Sequence, residues 1–111
     1  MSQQKLRDFL VQIPDRPGVL ATRVGNVPAH MERLKGLIEA GTIVMSGPTL
    51  AAHPADGEQG LPINGSALLI RATSEAEVRT VLAGDVYARL GVWDLERATV
   101  TPYLCAVRKP L

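Results

Sequence analysis

The chain has 111 residues, of which 46% are hydrophobic and 21% are charged. This length predicts a single domain spanning residues 1–111, and the balance of 12 Lys and Arg against 11 Asp and Glu argues against a nucleic-acid partner. Because no apolar run reaches the roughly 18 residues that a membrane span needs and no signal-peptide pattern is completed, we expect a cytoplasmic protein with no membrane partner.

The first predicted element is a strand at residues 6–13, where apolar and polar residues alternate. One face of this strand carries Asp8 and Gln12 among leucines. A dry core tolerates such polar groups poorly, so we expect this face to line a polar cavity. The strand ends at Asp15-Arg16-Pro17-Gly18, which has the composition of a turn.

Residues 19–40 predict a long amphipathic helix, because apolar residues recur at steps of three and four. This apolar stripe consists of Leu20, Val24, Val27, Met31, Leu34 and Ile38. Gly25 and Pro28 interrupt the helix, and an interior proline costs about 3 kcal/mol unless a bend or a new helix start accommodates it. We therefore expect a bend or two abutting helices, with Gly41 as the C-terminal cap.

The middle of the chain predicts two strands separated by a long loop. Residues 42–45 are β-branched and apolar, and residues 66–71 alternate again, so both segments predict strands. Between them, residues 47–65 are rich in glycine and proline, which disfavours regular structure across most of the segment. A loop of this length in a small domain is often functional.

The last third of the chain predicts a short helix and a final strand. Ser74 and Glu77 have the spacing of a capping box, which starts a helix that runs to about Leu82. A break follows at residues 84–87, and residues 95–107 are long enough for a strand. The predicted order is therefore β-α-β-β-α-β.

This order predicts an α+β, ferredoxin-like fold: a four-stranded antiparallel sheet with both helices on one face. The other face of the sheet would then be bare. A bare apolar face is a liability for a monomer, so we expect a homodimer that packs sheet against sheet.

Short motifs occur in a recognisable order along residues 6–107. They are Asp15-Arg16-Pro17-Gly18, Arg23, His30, Glu39-Ala40-Gly41, Ser46-Gly47-Pro48 and Gly84-Asp85-Val86-Tyr87. In this order and spacing the chain resembles the YciI-like (YCII-related) family of dimeric α/β-barrel proteins. Two departures stand out: Val86 replaces the proline that usually follows the aspartate, and the loop after the second strand is longer than in the family.

The resemblance implies a homodimer with pockets between sheet and helices, and a catalytic pair formed by His30 and Asp85. Most members of the family have no assigned reaction. Those with one include a dehydrochlorinase of a chlorinated hydroxyhydroquinone, and related dimeric barrels include isomerases, cofactor-free monooxygenases and polyketide cyclases. The resemblance thus implies proton transfer on cyclic, oxygenated substrates.

The residues themselves leave two interpretations of this pair open. On a helical wheel with Val27 at zero, Leu34 lies at about −20°, Arg23 at about −40° and His30 at about −60°, so His30 borders the stripe. A histidine transfers protons near neutral pH, and an aspartate on its far nitrogen would stabilise the imidazolium. Residue types alone favour the simpler interpretation, in which His30 packs at the helix edge and Asp85 caps a turn; the resemblance favours a shared site.

Several further residues are candidates for binding a substrate. Arg23 could hold an anionic or phenolate group, or form a surface salt bridge. Ser46 and the backbone of Gly47 could donate to an oxyanion, although shaping a turn is the simpler role. Tyr87, with Trp93 and Tyr103, could form an aromatic wall or serve the core, and His53 could close over a ligand or simply be exposed.

Neither a metal nor a nucleotide cofactor is expected. The two histidines are far apart in the chain, Cys105 has no cysteine partner, and no phosphate-binding glycine motif opens a helix. Our first hypothesis is a cofactor-free lyase or isomerase of a small cyclic oxygenated molecule in secondary or aromatic metabolism. The alternative is a non-catalytic, homodimeric small-molecule-binding or accessory protein.

Overall fold

The computed structural model describes residues 5–110. Its helices and strands are β1 (Arg7–Pro14), α1 (Leu20–Gly25), α2 (Val27–Glu39), β2 (Ile43–Leu50), β3 (Ile63–Ala72), α3 (Glu75–Ala83), α4 (Val86–Arg89) and β4 (Thr99–Tyr103). A single 3-10 turn at Leu95–Arg97 precedes the last strand. The long predicted helix is divided at Asn26 into α1 and α2, with Pro28 in the first turn of α2, where its missing N–H costs nothing.

The four strands form one antiparallel sheet in the order β2-β3-β1-β4. This topology confirms the predicted ferredoxin-like α+β fold. β1 is held between β3 and β4, with Val11 opposite Leu68 on one side and opposite Val100 on the other. β2 and β4 are the edge strands, where prolines such as Pro48 are tolerated because one side of the strand needs no hydrogen bonds.

The core lies between the helices and one face of the sheet. Alternation along β1 turns Phe9, Val11 and Ile13 toward the helices, and each is at most 6% exposed. They pack with helix residues such as Leu34 and Leu82 in one cluster. Burial of these side chains gives each about 1.5–3 kcal/mol relative to exposure, which fixes the helices over this face.

The opposite side of the sheet, which we call the helix-free face, is mixed in character. Leu10 pairs with Leu69 there, and Asp8 pairs with Arg71, whose Nε lies 3.0 Å from the Asp8 carboxylate. Gln12 on the same face is exposed. The face predicted to be bare and apolar therefore carries an ion pair beside its leucines.

The bounds of the last three strands differ from the predicted ones, and β3 begins at Ile63 instead of residue 66. β2 runs through Ser46-Gly47-Pro48 to Leu50 and pairs with β3, so the irregular segment is limited to residues 51–62. The final strand is shorter than residues 95–107, because Ala98 N–H bonds the carbonyl of Leu95 in a 3-10 turn before β4 begins. Pairing with β3 thus extends β2 against its local composition, whereas a local turn delays the start of β4.

The apolar stripe of the first helices is largely exposed, contrary to the expected burial. Leu34 alone among its six residues is buried, and the other five are between 42% and 59% exposed. Arg23 and His30, which border the stripe, are only 5% and 8% exposed. The side of α1 and α2 that packs against the rest of the protein is therefore centred nearer to His30 than to the middle of the apolar stripe. As a result, the polar side chains of Arg23 and His30 point inward.

Candidate functional site

A cavity of about 360 Å3 lies between α1, α2 and β2, and we call it the His30 cavity. Its walls are mostly aliphatic. Its polar lining residues are Arg23, His30, Ser46, Ser66 and Tyr87. A cavity with apolar walls and a few convergent polar groups is the usual form of a small-molecule site.

His30 and Asp85 are in direct contact. Nδ1 of His30, on α2, lies 2.8 Å from Oδ1 of Asp85, which precedes α4. Asp85 is 1% exposed. A buried carboxylate at this distance accepts the proton on Nδ1, which leaves Nε2 as the basic nitrogen of the ring. His30 lines the cavity, whereas Asp85 is not a lining residue and contacts the Nδ1 side of the ring.

The Asp85 carboxylate has two further partners. Oδ1 accepts the backbone N–H of Tyr87 at 2.9 Å, which caps α4, and Oδ2 lies 3.3 Å from Nη1 of Arg33. Burial acts to raise the pKa of Asp85, but the bonds from His30 and Tyr87 and the charges of His30 and Arg33 outweigh it and hold the pKa below the ordinary aspartate value. Asp85 is therefore a carboxylate at neutral pH.

Arg23 is fixed by a buried network at the same end of the cavity. Its Nε and Nη2 donate to the two carboxylate oxygens of Asp15 at 2.8 and 3.1 Å. Nη2 also donates to Ser66 Oγ at 2.7 Å and to the carbonyl of Gly65 at 3.0 Å. Both charged side chains are nearly buried, at 6% and 7% exposure, so the ion pair neutralises the guanidinium charge in place.

Two polar clusters lie at the cavity: His30, Asp85 and Arg33 form one, and Arg23, Asp15 and Ser66 form the other. Tyr87 contacts both clusters. Its ring stacks on the imidazole of His30 with centroids 4.1 Å apart, and the guanidinium of Arg23 lies 4.8 Å from the ring centre. Its hydroxyl donates to the carbonyl of Arg23 at 3.2 Å. Burial raises the pKa of Tyr87 and the charge of Arg23 opposes it, so the hydroxyl is protonated at neutral pH. Trp93 completes the cluster, meeting the His30 ring edge-on and donating to Ser66 Oγ at 3.1 Å.

The structure brings six of the predicted site residues to one cavity and leaves two elsewhere. His30, Arg23, Ser46, Gly47 and Tyr87 line the cavity, and Asp85 contacts His30. Asp8 and Gln12 instead belong to the helix-free face, because side chains alternate along β1 and the helix-facing positions are odd-numbered. The expectation that they line the same pocket is corrected by this alternation.

The remaining aromatic and histidine candidates also separate. Trp93 is 2% exposed and packs behind the cavity, whereas Tyr103 is 45% exposed and pairs with Asp8 on the helix-free face. His53 lies in the exposed 51–62 loop and is not a lining residue of the cavity.

Sequence reasoning missed three residues of the site. Asp15 belongs to the motif after β1, whose composition indicates only a turn. Arg33 lies one helical turn after His30, a spacing that places both side chains on one side of a helix and could have identified it. Ser66 gave no sequence signal, because the hydrogen bonds that it accepts come from Arg23 and Trp93, which are far from it in the chain.

Two further features concern metal binding and membrane insertion. Residues 5–110 contain no group of three or more His, Cys, Asp or Glu side chains placed to hold a metal ion. Within the same range, none of the helices is long and apolar enough to cross a membrane.

Comparison with known proteins identifies the family. The model of the YCII-related domain matches residues 8–102, which includes every residue of the two polar clusters. The chain belongs to the YCII-related family. This result confirms the resemblance inferred from the motifs.

Relatives of this YCII-related protein are named for biosynthetic processes. It is 49% identical over 87 residues to a protein of Emericella nidulans named "Derivative of benzaldehyde biosynthesis cluster protein C". The match covers 78% of this chain and 89% of that one. It is 37% identical over 99 residues to fusaric acid biosynthesis protein 2 of Gibberella moniliformis, covering 89% and 94% of the two chains.

A solved structure of the same fold supports the comparison. The 5-chloro-2-hydroxyhydroquinone dehydrochlorinase of Burkholderia phenoliruptrix AC1100, in complex with 2,5-dihydroxybenzoquinone, superimposes with a TM-score of 0.71 at 30% identity. The match covers 87% of this chain and 93% of that chain. The neighbour is thus a dehydrochlorinase named for a chlorinated hydroxyhydroquinone.

Proposed function

We propose that the protein is a cofactor-independent lyase or isomerase that acts on a small cyclic oxygenated molecule in secondary metabolism. The observation that supports this most strongly is the 2.8 Å contact between the buried Asp85 and Nδ1 of His30, which is itself a lining residue of the cavity. The same arrangement of carboxylate, imidazole and open nitrogen is what general base catalysis requires.

In the proposed reaction, Nε2 of His30 removes a proton from a carbon next to a carbonyl or phenol-type oxygen. The electrons of the broken C–H bond form a new C=C bond, and the negative charge spreads to the oxygen. In an elimination, the enolate re-forms its C=O bond and the C=C bond shifts to the carbon that loses the leaving group; halide leaves with its bonding electrons and His30 releases its proton to solvent, or hydroxide leaves with its bonding electrons and takes the proton from His30 to become water. In a double-bond shift, His30 returns the proton to another carbon. Asp85 stabilises the imidazolium between the two steps.

The rest of the cavity supports this chemistry. We assign Arg23 and Tyr87, which line the cavity together with His30, to contact the oxygen that gains charge. We assign the 51–62 loop the role of excluding water, since proton-transfer steps of this kind benefit from a closed site. The hydroquinone lyase neighbour and the biosynthetic relatives agree with such a role.

We further propose that the protein works as a cytoplasmic homodimer that packs through the helix-free face, where Leu10 lies opposite Leu69. Sedimentation velocity tests the assembly: the wild type should sediment as twice the 11.9 kDa chain, and Leu10→Arg should reduce it to a monomer. A monomeric wild type would contradict the dimer.

The reaction is tested on the compound that accumulates when the base is removed in vivo. In the organism that encodes the protein, the gene is replaced by the His30→Ala allele and the accumulated compound is identified by mass spectrometry. Purified wild-type protein should convert this compound with no added cofactor, and His30→Ala should convert it at less than about 1% of that rate.

Arg79→Gln is the control, because Arg79 is an exposed residue of α3 that does not line the cavity, so the rate should be unchanged. Circular dichroism verifies that both variants are folded. Equal rates in His30→Ala and wild type would reject the proposed base and favour a non-catalytic binding or accessory role.

A further inference from the structure

The His30 cavity is a slot with a polar end and an apolar end. Along α2 its lining residues run from Val27 to Ile38, which at 1.5 Å per residue is about 16 Å. Along β2 they run from Ile43 to Pro48, which at about 3.3 Å per residue is also about 16 Å. The two walls are therefore matched in length.

Strand pairing shows which end is polar. Pro48 pairs with Ser66, and Ser66 accepts a hydrogen bond from Arg23, so the Pro48 end of β2 is the polar end. Ile38 and Ile43 lie at the other end, where the chain passes from α2 to β2. The lining residues in the half that contains Leu34 are all apolar; they are Met31, Leu34, Ile38, Ile43, Val44 and Met45.

The charges at the polar end are already balanced. Arg23 is paired with Asp15 in a buried two-point contact, and Asp85 is paired with Arg33 as well as with His30. An anionic group entering this end would lose its water and find no unpaired cation among the described residues of the cavity. An uncharged oxygen does not incur this cost and can gain charge later, when His30 takes the proton.

We propose that the slot selects an uncharged molecule with an oxygenated ring at the His30 end and an aliphatic chain along the Leu34 end. This inference deepens the proposed function and rests on the same cavity. A volume of about 360 Å3 is the liquid volume of about 12 water molecules, at about 30 Å3 each. An oxygenated ring fills only part of this space and leaves room for a short aliphatic chain.

The chain part is tested with 4-alkylphenols, from phenol to 4-heptylphenol, by titration calorimetry on the full-length protein. The dissociation constant should fall about fourfold with each added methylene until the chain fills the slot and then level off. A dissociation constant that does not depend on chain length, or the absence of binding even for the longest phenols, overturns the proposal.

Two variants locate the chain in the slot. Ile38 is half exposed, so a tryptophan at this position can fill the apolar end. In Ile38→Trp the dissociation constant should no longer fall with chain length, and the affinity for phenol itself should be unchanged. Leu20→Trp is the control, since Leu20 is similarly exposed on the same stripe but is not a lining residue of the cavity. If the dissociation constant still falls with chain length in Ile38→Trp, the alkyl chain binds elsewhere and the proposal is overturned.

The charge part is tested with 4-propylbenzamide and 4-propylbenzoate, which have nearly the same shape. The benzamide should bind at least about tenfold more tightly to the wild type, and Asp15→Asn, which leaves Arg23 uncompensated, should reduce this ratio. Equal or tighter binding of the benzoate to the wild type overturns the selection of uncharged molecules. These are binding measurements, so their failure is separate from a failure of the His30 turnover test.

Discussion

The oxygen of Asp85 that lies 2.8 Å from His30 Nδ1 is the same oxygen that caps helix α4 through the N–H of Tyr87. The two interpretations that the sequence left open for Asp85, a helix cap and a partner for histidine, are therefore both realised by one atom. A capping residue at the start of a short helix is held in place by the backbone, and this fixes the carboxylate behind the imidazole.

Because one oxygen has both roles, Asn and Ala at position 85 should have different effects. Asp85→Asn keeps an oxygen for the Tyr87 N–H but loses the charge, so turnover in the proposed reaction should drop about 100- to 10,000-fold. Asp85→Ala also loses the cap, and should lower the free energy of unfolding by about 1 kcal/mol more than Asn does. Urea unfolding and steady-state rates measure the two effects, and equal stability of the variants would contradict the shared role.

The lowered pKa of Asp85 predicts a loss of stability in acid. The folded-state pKa lies below that of the unfolded chain, so the unfolded state binds more protons as the pH falls. The stabilisation is complete above the ordinary aspartate pKa of about 3.9 and is lost as the pH falls through the lower folded value. Between about pH 5 and pH 2, the free energy of unfolding should decrease less steeply in Asp85→Asn than in the wild type. Parallel pH profiles would contradict this assignment.

Arg33 and Gly84 should both affect the pKa of Asp85. Arg33 lies 3.3 Å from Asp85 and also donates to the carbonyl of Val81 at 2.7 Å, passing so close to Gly84 that an added Cβ would be 2.8 Å from Nη2. Arg33→Gln and Gly84→Ala should therefore both raise the pKa of Asp85, as followed by the carbon-13 shift of its carboxyl group.

The exposed pair of Arg79 and Glu75, 3.8 Å apart, provides the control for these two variants. Arg79→Gln should leave the Asp85 titration where it is in the wild type. A Gly84→Ala titration that matches the wild type would show that Arg33 does not need the space beside Gly84.

The ion pair of Asp15 with Arg23 should contribute more to the free energy of unfolding than the ion pair of Asp8 with Arg71. Asp15 and Arg23 are 7% and 6% exposed, whereas Asp8 and Arg71 are 13% and 48% exposed. Removing one partner of the buried pair leaves an unpaired charge, so Asp15→Ala should cost about 3–5 kcal/mol. Asp8→Ala should cost about 1 kcal/mol or less. Chemical denaturation measures both, and similar losses would contradict the network around Arg23.

The sequence predicted the fold well where local chemistry was decisive. Ser74 accepts the N–H of Glu77 at the start of α3, as the capping box predicts, although the Glu77 carboxylate bonds Thr73 Oγ1 instead of returning to Ser74. The extent of β2 was not predictable from composition, since Gly47 and Pro48 discourage a strand. Only the pairing with β3 in the folded chain stabilises these residues in an edge strand.

The candidate site was predictable in its residues and less so in its geometry. His30 and Asp85 were identified with the help of the family motifs, and they are in contact. Periodicity placed the apolar stripe, but it did not show that the inward direction is rotated toward His30. For Arg23 the sequence left anion binding and a surface salt bridge open. Arg23 forms an ion pair, but a buried one, and its pairing with Asp15 depends on how α1 packs against the turn after β1, which no local pattern encodes.

The most direct measurement of the central claim is the loss of the substrate C–H signal in D2O, followed by proton NMR on the compound that accumulates in the His30→Ala strain. With wild-type protein, the hydrogen next to the oxygenated carbon should be removed at the rate of turnover. With folded His30→Ala it should be removed at less than about 1% of that rate. Removal at the wild-type rate in the absence of the imidazole would contradict the account.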